Sequence, residues 1–403
     1  MSSSSSFRSP SGKDFNAAVD FEPPQGRIDP MHIICVGVVF MDTKVSIAQF
    51  PERDSKTSAE KITRRRGGNP ANSLEVVSDL LEHVPSELLD GGEPPAPLTK
   101  LHLITVLPEE TSIDSVTIRD SIPKVKVHGL YREGFQEASS SVIIQDDESG
   151  SRTIMSNLNG LAGMTSSEFL QSFDRIVDGM KGGAEKEKLW VHFEGRNPDI
   201  LLECIQALRK KPFEICISVE CENPNRHGLL NAAYAADIVF FSMAWVLKNT
   251  EHENPLAFLE AAIEDSRYTQ PSLTLFCTWG AHGTAAVRKS GIDQDSLTPD
   301  ASTTTSIDSV PPWTIAKCPA YKPGDSADAA VVETTGAGDT FIAGILFLRS
   351  NYPTLSLHRE LEFATMLASR KVYQVEYKGL GESMLKRSST HTKWEHRKDS
   401  QTA

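Results

Sequence analysis

The densest concentration of chemistry in the chain is the string Glu333-Thr-Thr-Gly336-Ala337-Gly338-Asp339-Thr-Phe-Ile-Ala-Gly344. Small residues at Gly336, Ala337 and Gly338 leave backbone N–H groups uncovered where a helix begins, and unpaired donors with the helix dipole favour an anion there. Asp339 at that point can take a proton from an attacking hydroxyl while the amides stabilise charge on transferring phosphoryl oxygens. Two other readings stay open from the spacing alone. One is a tight strand-to-helix turn with Asp339 as N-cap; the other is a dinucleotide-binding Gly-x-Gly-x-x-Gly turn, weakened by Phe341 in place of the third glycine. A second string, Arg66-Gly-Gly68-Asn69-Pro-Ala-Asn72, sets two amides three residues apart on the first turn of an expected helix. Each amide donates and accepts, a match for the vicinal hydroxyls of a polyol, although Asn69 also reads as an N-cap after a glycine turn.

Three further side chains carry weaker signals. Asp42 follows an apolar run, either at the carboxyl end where open α/β sheets bind ligands or in an ordinary turn. Glu220 continues the apolar strand Ile215–Val219 and therefore needs a partner, either magnesium through water or an internal ion pair. Arg152 sits on a short polar strand, open to solvent or to a ligand.

The elements that must position these groups follow from apolar runs. His32–Phe40 is long enough for a strand buried on both faces, and similar runs recur at Leu101–Leu107, Leu189–Phe193, Ile215–Val219, Asp237–Ser242 and Leu273–Thr278. Ala329–Val332 reads as the end of another, feeding an amphipathic helix to about Ser350. Stretches of helical length alternate with the runs at Pro198–Lys211, Pro224–Tyr234 and Pro255–Ser266, each with proline in its first turn. This is the pattern of an α/β fold with a central, mostly parallel sheet. Lys44–Phe50, Ser58–Arg65, Lys124–Arg132, Ser139–Gln145 and Arg152–Ser156 read instead as a small accessory sheet, a lid spanning about 43–66 and 124–157. Residues 1–30 read as a disordered extension, 31–381 as the main domain, about 85–99 and 291–310 as insertions, and 382–403 as a flexible tail.

Composition removes several classes. The charge is −13, from 41 Lys+Arg against 54 Asp+Glu, spread along the chain, which disfavours nucleic acid or an anionic membrane as partner. No run of 18 apolar residues exists to span a bilayer, and the Ser-rich start lacks an apolar signal stretch. The six cysteines include no Cys-x-x-Cys pair and read as buried thiols in a reducing compartment, so a cytoplasmic location is expected.

Taken whole, the Glu333–Gly344 string resembles the C-terminal signature of the ribokinase-like (PfkB) carbohydrate kinases, and Gly67, Gly68, Asn69 and Asn72 resemble their N-terminal one. The resemblance implies a three-layer ribokinase-like sandwich with a β lid and ATP-dependent phosphorylation of a small sugar. It implies Asp339 as base, Gly336, Ala337 and Gly338 as the anion hole, and Gly68, Asn69 and Asn72 around the sugar. The family usually has aspartate where this chain has Glu333, which leaves a role for Glu333 toward metal open. Within the family, Cys35–Asp42, Phe50-Pro-Glu-Arg-Asp54, Ser151-Arg152-Thr-Ile, His192–Asn197 and Ser218–Pro224 resemble the ketohexokinase branch. That branch implies a ketose such as fructose, held by Asp42 and Arg152, with Asp54 reaching the substrate of a partner subunit in a lid-to-lid homodimer. Thr278-Trp279-Gly280-Ala-His-Gly283 resembles the nucleotide-side turn, with Trp279, Gly280 and Gly283 toward ATP. Mg²⁺ would be held through water by Glu220 and Glu222. Tyr373–Lys378 departs from the family's monovalent-cation loop, so potassium dependence does not follow. Another family substrate (ribose, a nucleoside, a keto-deoxy sugar acid) or a catalytically silent sensor is the alternative.

Overall fold

The computed structural model describes residues 30–84, 99–146, 148, 151–180, 183, 187–289, 313–323 and 331–385. The expected N-terminal extension lies outside these residues apart from Pro30, and so do the two insertions apart from Thr99 and the tail beyond 385.

Alternation of side chains along central strands builds the core. In β1 (Met31–Val36), Ile33 and Cys35 point into one apolar cluster while Ile34 and Val36 point into the other. The same split places Ile238 and Phe240 opposite Val239 and Phe241 in β10 (Ile238–Ser242). Strands that bury both faces must lie mid-sheet under helices on each side, as continuous apolar runs require. The large sheet has nine strands, ordered β13 (Trp313–Cys318), β12 (Thr284–Lys289), β11 (Thr274–Thr278), β10, β9 (Ile215–Cys221), β8 (Lys188–Phe193), β1, β4 (Thr99–Leu107) and β5 (Val125–Tyr131). β11 through β5 are parallel, and β12 and β13 turn back antiparallel at one edge. One face carries α1 (Asn69–Glu82), α2 (Ile113–Ser121), α8 (Ala337–Asn351), α9 (Leu357–Val372) and α10 (Leu380–Leu385). The other carries α3 (Ser166–Asp178), α4 (Pro198–Leu208), α5 (Leu229–Tyr234), α6 (Met243–Asn249) and α7 (Pro255–Ile263).

A separate four-stranded sheet, ordered β3 (Lys61–Gly67), β2 (Phe40–Ile47), β6 (Ser140–Asp146) and β7 (Arg152–Asn157), forms the lid. Its members match the expected accessory strands with one correction. Lys124–Arg132 is β5, paired in parallel to β4 as the edge of the large sheet, and not part of the lid. As an edge strand it is only partly covered, with Val125 and Leu130 buried and Lys126 exposed. The single long strand expected at His32–Phe40 is also broken: β1 ends at Val36 and β2 starts at Phe40, so Asp42 sits in the lid sheet.

α8 differs from expectation as well. From Asp339 to Leu348 every residue is buried, so it is a central helix rather than an amphipathic one. It packs between α1 and α9, and Gly344 brings it close to Ala364, where an added Cβ would lie 3.0 Å from the Ala364 Cα. The segment 331–334 carries no strand; Ala329 and Ala330 lie outside the described residues. At the opposite end of the sheet from the lid, three imidazoles form a buried ladder across β1, β4 and β5. His32 Nδ1 lies 3.0 Å from His102 Nε2, and His102 Nδ1 lies 3.0 Å from His128 Nε2. The ladder ends on Glu187, 2.6 Å from His32 Nε2.

Phe347 is fully buried against Phe363 and Tyr352. Phe347→Ala should cost about 3–5 kcal/mol, seen as a lower denaturant midpoint at unchanged slope.

Candidate active site

Two cavities open at the carboxyl ends of the parallel strands. The first, about 460 Å³, lies between lid and body. Asp42, Ser141, Arg152 and Ile154 line it from the lid, and Asn69, Asn72, Glu220, Glu222 and Asp339 from the body. The second, about 780 Å³, is lined by Gly280, Gly283, Thr284, Ala368, Ser369 and Val372 among others, with Tyr321 and Tyr373 beside them. The two share Thr278, Thr334, Gly338 and Phe341, so Gly338 stands where they meet.

The helix start at that junction is built by glycine. Gly336 takes φ +82°, and a Cβ there would fall 2.1 Å from the Tyr377 hydroxyl, so only glycine fits above that ring. A Cβ on Gly338 would meet nothing within 4 Å, so the peptide faces open space. Ala337 N–H turns back to the Thr334 carbonyl at 3.3 Å, closing the turn. Gly336 occupies the N-cap with no side-chain cap, which disposes of Asp339 as a capping residue.

Asp339 instead accepts from Asn72. The Asn72 amide donates from Nδ2 to Asp339 Oδ2 at 2.7 Å, and its Oδ1 accepts from Arg66 Nη1 at 2.6 Å. Arg66 in turn pairs with Glu75. This buried chain from Arg66 through Asn72 fixes the carboxylate, so Asn72 faces the cavity with its amide already engaged at both ends. Burial pushes Asp339 up to about 7; the Asn72 hydrogen bond opposes that, while Glu222 and Glu194 add to it. A carboxyl near neutrality can both lose and accept a proton at working pH.

Asn69 is the first residue of α1, not its cap, which is Gly68. Its Nδ2 donates to both Glu220 oxygens, at 3.1 and 3.2 Å, and to Glu222 at 3.1 Å. Glu220 is held well above the usual carboxylate range by burial first, then by the charges of Glu222, Asp339 and Glu194. Crowded acids with one amide for relief suit a hard dication bound through oxygen. Among the described residues no three His, Cys, Asp or Glu side chains form a metal-binding group, so such an ion would lean on water and substrate oxygens.

Asp42 lines the cavity from β2 and accepts from the Ser141 hydroxyl. Burial raises its pKa, against Ser141, Arg65 and Arg66. Gly67 makes room for it, since a Cβ there would fall 1.9 Å from Asp42 Oδ2. Arg152 Nη1 donates to Thr334 Oγ1, bridging the lid to the segment ahead of α8.

Three expected site residues stand elsewhere. Trp279 is buried in the core and lines neither cavity, although Gly280 and Gly283 beside it line the second. Asp54 is exposed in a turn with φ +60°, away from this chain's own cavities. Glu333, expected as a candidate metal ligand, lines neither cavity. Its carboxylate meets Lys371 Nζ at 3.0 Å, Arg65 Nη2 at 2.9 Å and Lys44 Nζ at 3.3 Å. Burial pushes Glu333 up, but Lys371 and Arg65 outweigh it and hold the group at about 2. Three cations leave no charge to recruit a fourth.

Arg65, Arg66, Arg196, Arg226, Lys371 and Tyr377 were not anticipated. Arg196 and Arg226 line the first cavity, and both approach Glu194. A signal existed for Lys371, which follows Ala364 and Leu367 at helical spacing and so falls on the buried stripe of α9.

No family model matches the chain. A ketohexokinase of Mus musculus is 25% identical over 354 residues, spanning 85% of this chain and 97% of that protein. Ribokinase from Giardia lamblia superposes with a TM-score of 0.61 at 15% identity, over 88% of this chain and 96% of its own. Ribokinase from Cryptococcus neoformans var. grubii, solved with ADP, gives 0.54 at 14% identity over 88% and 97%. The fold is ribokinase-like, and with the ketohexokinase relative it supports an ATP-dependent carbohydrate kinase.

A carboxyl-carbon titration by NMR should place the Asp339 midpoint at about 7. Asn72→Ala should move it higher, because the lost hydrogen bond favours the charged form; a midpoint that stays put would show that Asn72 does not govern it.

Proposed function

We propose that this ribokinase-like carbohydrate kinase transfers the terminal phosphoryl group of ATP to a hydroxyl of a small sugar, with a ketose such as fructose as acceptor. The observation that carries the reading is the junction: Gly338 is shared by both cavities, and Asp339 lines the lid-covered one. ATP would lie in the larger cavity, adenine toward Gly280, Gly283, Ala368 and Val372, phosphates toward Gly338. The sugar would lie in the smaller one, against Asp42, Asn69 and the Asn72 edge. Asp339 takes the hydroxyl proton, and the backbone N–H groups of Gly336 and Gly338 receive the phosphoryl oxygens, the Ala337 N–H being turned to the Thr334 carbonyl. Glu220 and Glu222 would hold Mg²⁺ through water, and the ion would supply positive charge toward the nucleotide phosphates. The lid excludes water that would otherwise compete for the phosphoryl group.

The ketohexokinase relative supports a ketose acceptor. A specific observation supports a second reading, an acceptor bearing a carboxylate: three guanidinium groups, Arg152, Arg196 and Arg226, line the same cavity. A cytoplasmic setting fits the absence, among the described residues, of any helix long and apolar enough to cross a membrane. The outward lid face supports a homodimer, since Ile62 and Met155 are 65% and 53% exposed there beside Val142. Asp54 would then act, if anywhere, toward the partner's site.

A panel of fructose, ribose, adenosine and a keto-deoxy sugar acid with ATP and magnesium tests the acceptor; turnover of adenosine but not fructose overturns the ketose reading. Asp339→Asn should keep ATP binding while turnover falls about 10²–10⁴-fold. Met155→Asp should shift the chain from dimer to monomer in light scattering, and a wild-type monomer would remove the lid interface.

A further inference from the structure

Lys371 is the most completely enclosed charge among the described residues, with 0% exposure at the end of α9. Its ammonium lies 3.0 Å from Glu333 Oε2 and 3.3 Å from the Gln374 carbonyl, with the Tyr377 ring centred 5.3 Å away. Carboxylate, carbonyl and aromatic face are the donors a desolvated monovalent cation accepts. The next residue, Val372, receives the backbone N–H of Val332 at 2.8 Å and of Glu333 at 3.1 Å. The end of α9 therefore grips the segment ahead of the anion hole twice, by backbone and by charge. Tyr377, beneath the ammonium, is the ring that Gly336 rests on.

The opposite side of Glu333 faces the lid. Lys44 of β2 and Arg65 of β3 reach it at 3.3 and 2.9 Å, and both are partly open to solvent. These cations belong to the lid sheet, whereas Lys371 belongs to the body. With Lys371 in place, the approach to the anion hole stays anchored when the lid contacts break. Without it, Glu333 follows the lid.

We propose that Lys371 is a positioning residue, a tethered internal cation that holds Glu333 and the turn through Gly336 in register for phosphoryl transfer, so that this site works without an added monovalent cation. Burial lowers the Lys371 pKa, Glu333 opposes that, and Arg65 and Lys44 add to the lowering. The inference rests on the kinase reading above.

The full chain is assayed with potassium or with choline as the monovalent cation, as wild type, Lys371→Ala and Lys371→Arg. Wild-type turnover should be the same in both salts. Lys371→Ala should lose about 10²-fold in kcat in choline, keep KM for the sugar, and regain about tenfold in potassium or ammonium. Lys371→Arg should fall between. Read without turnover, potassium should raise the melting temperature of Lys371→Ala but not that of wild type. Potassium activation of the wild type, or a Lys371→Ala enzyme with wild-type kcat in choline, overturns the proposal; the wild-type arm decides even if the alanine variant does not fold. A wild-type chain that phosphorylates no sugar instead defeats the kinase reading, and the melting comparison then still decides whether Lys371 fills a cation site.

Discussion

A carboxylate buried at the start of an apolar helix must be held by something, and here the holder is the Asn72 amide at 2.7 Å. The contact joins the first turns of α1 and α8, which the chain separates by more than half its length. Each side chain in the series is fixed by the next: Glu75 by Arg66, Arg66 by Asn72, Asn72 by Asp339. A hydrogen bond to the charged form lowers a pKa and burial raises it; the balance, near neutrality, suits a base that must release its proton again. The close packing of α1 on α8 and of α8 on α9 makes that balance reproducible, because none of the three helices can shift alone.

Six residues before Asp339, Glu333 shows the reverse outcome from the same chemistry. Both carboxyls are buried, yet Lys371 and Arg65 hold one at about 2 and like charges help lift the other to about 7. The pair separates structural from chemical acids by surroundings alone. It also divides the turn, with Glu333 among cations and Asp339 lining the cavity.

Much of this was legible in the residues. The apolar runs located the parallel strands because double-sided burial leaves a continuous signature, and the glycine-rich string located the helix start because uncovered amides need small neighbours. Other features were hidden for identifiable reasons. The edge position of β5, half covered with Lys126 exposed, gives it the composition of a lid strand. The Trp279 side chain was judged by its glycine neighbours, although an indole between two core strands packs before it binds. The extra methylene of Glu333 looked like a near-copy of a ligand, because its three cations come from β2, β3 and α9, far apart in sequence. Helix α8 looked amphipathic because its few polar residues cluster at the ends, while its burial is set by α1 and α9 on either side.

The histidine ladder under β1, β4 and β5 has a consequence for the molecule in acid. Burial drives His102 and His128 down to about 3 and about 4, and lowers His32 too, so the native fold keeps these rings neutral. An unfolded chain takes up their protons from about 6.5 downward. Between those limits the unfolded form binds more protons, and stability drains away as the medium acidifies. The amino-terminal end of the main sheet thus loses support in a souring medium, and His192 of β8, driven down to about 3 by its burial, adds to the same loss.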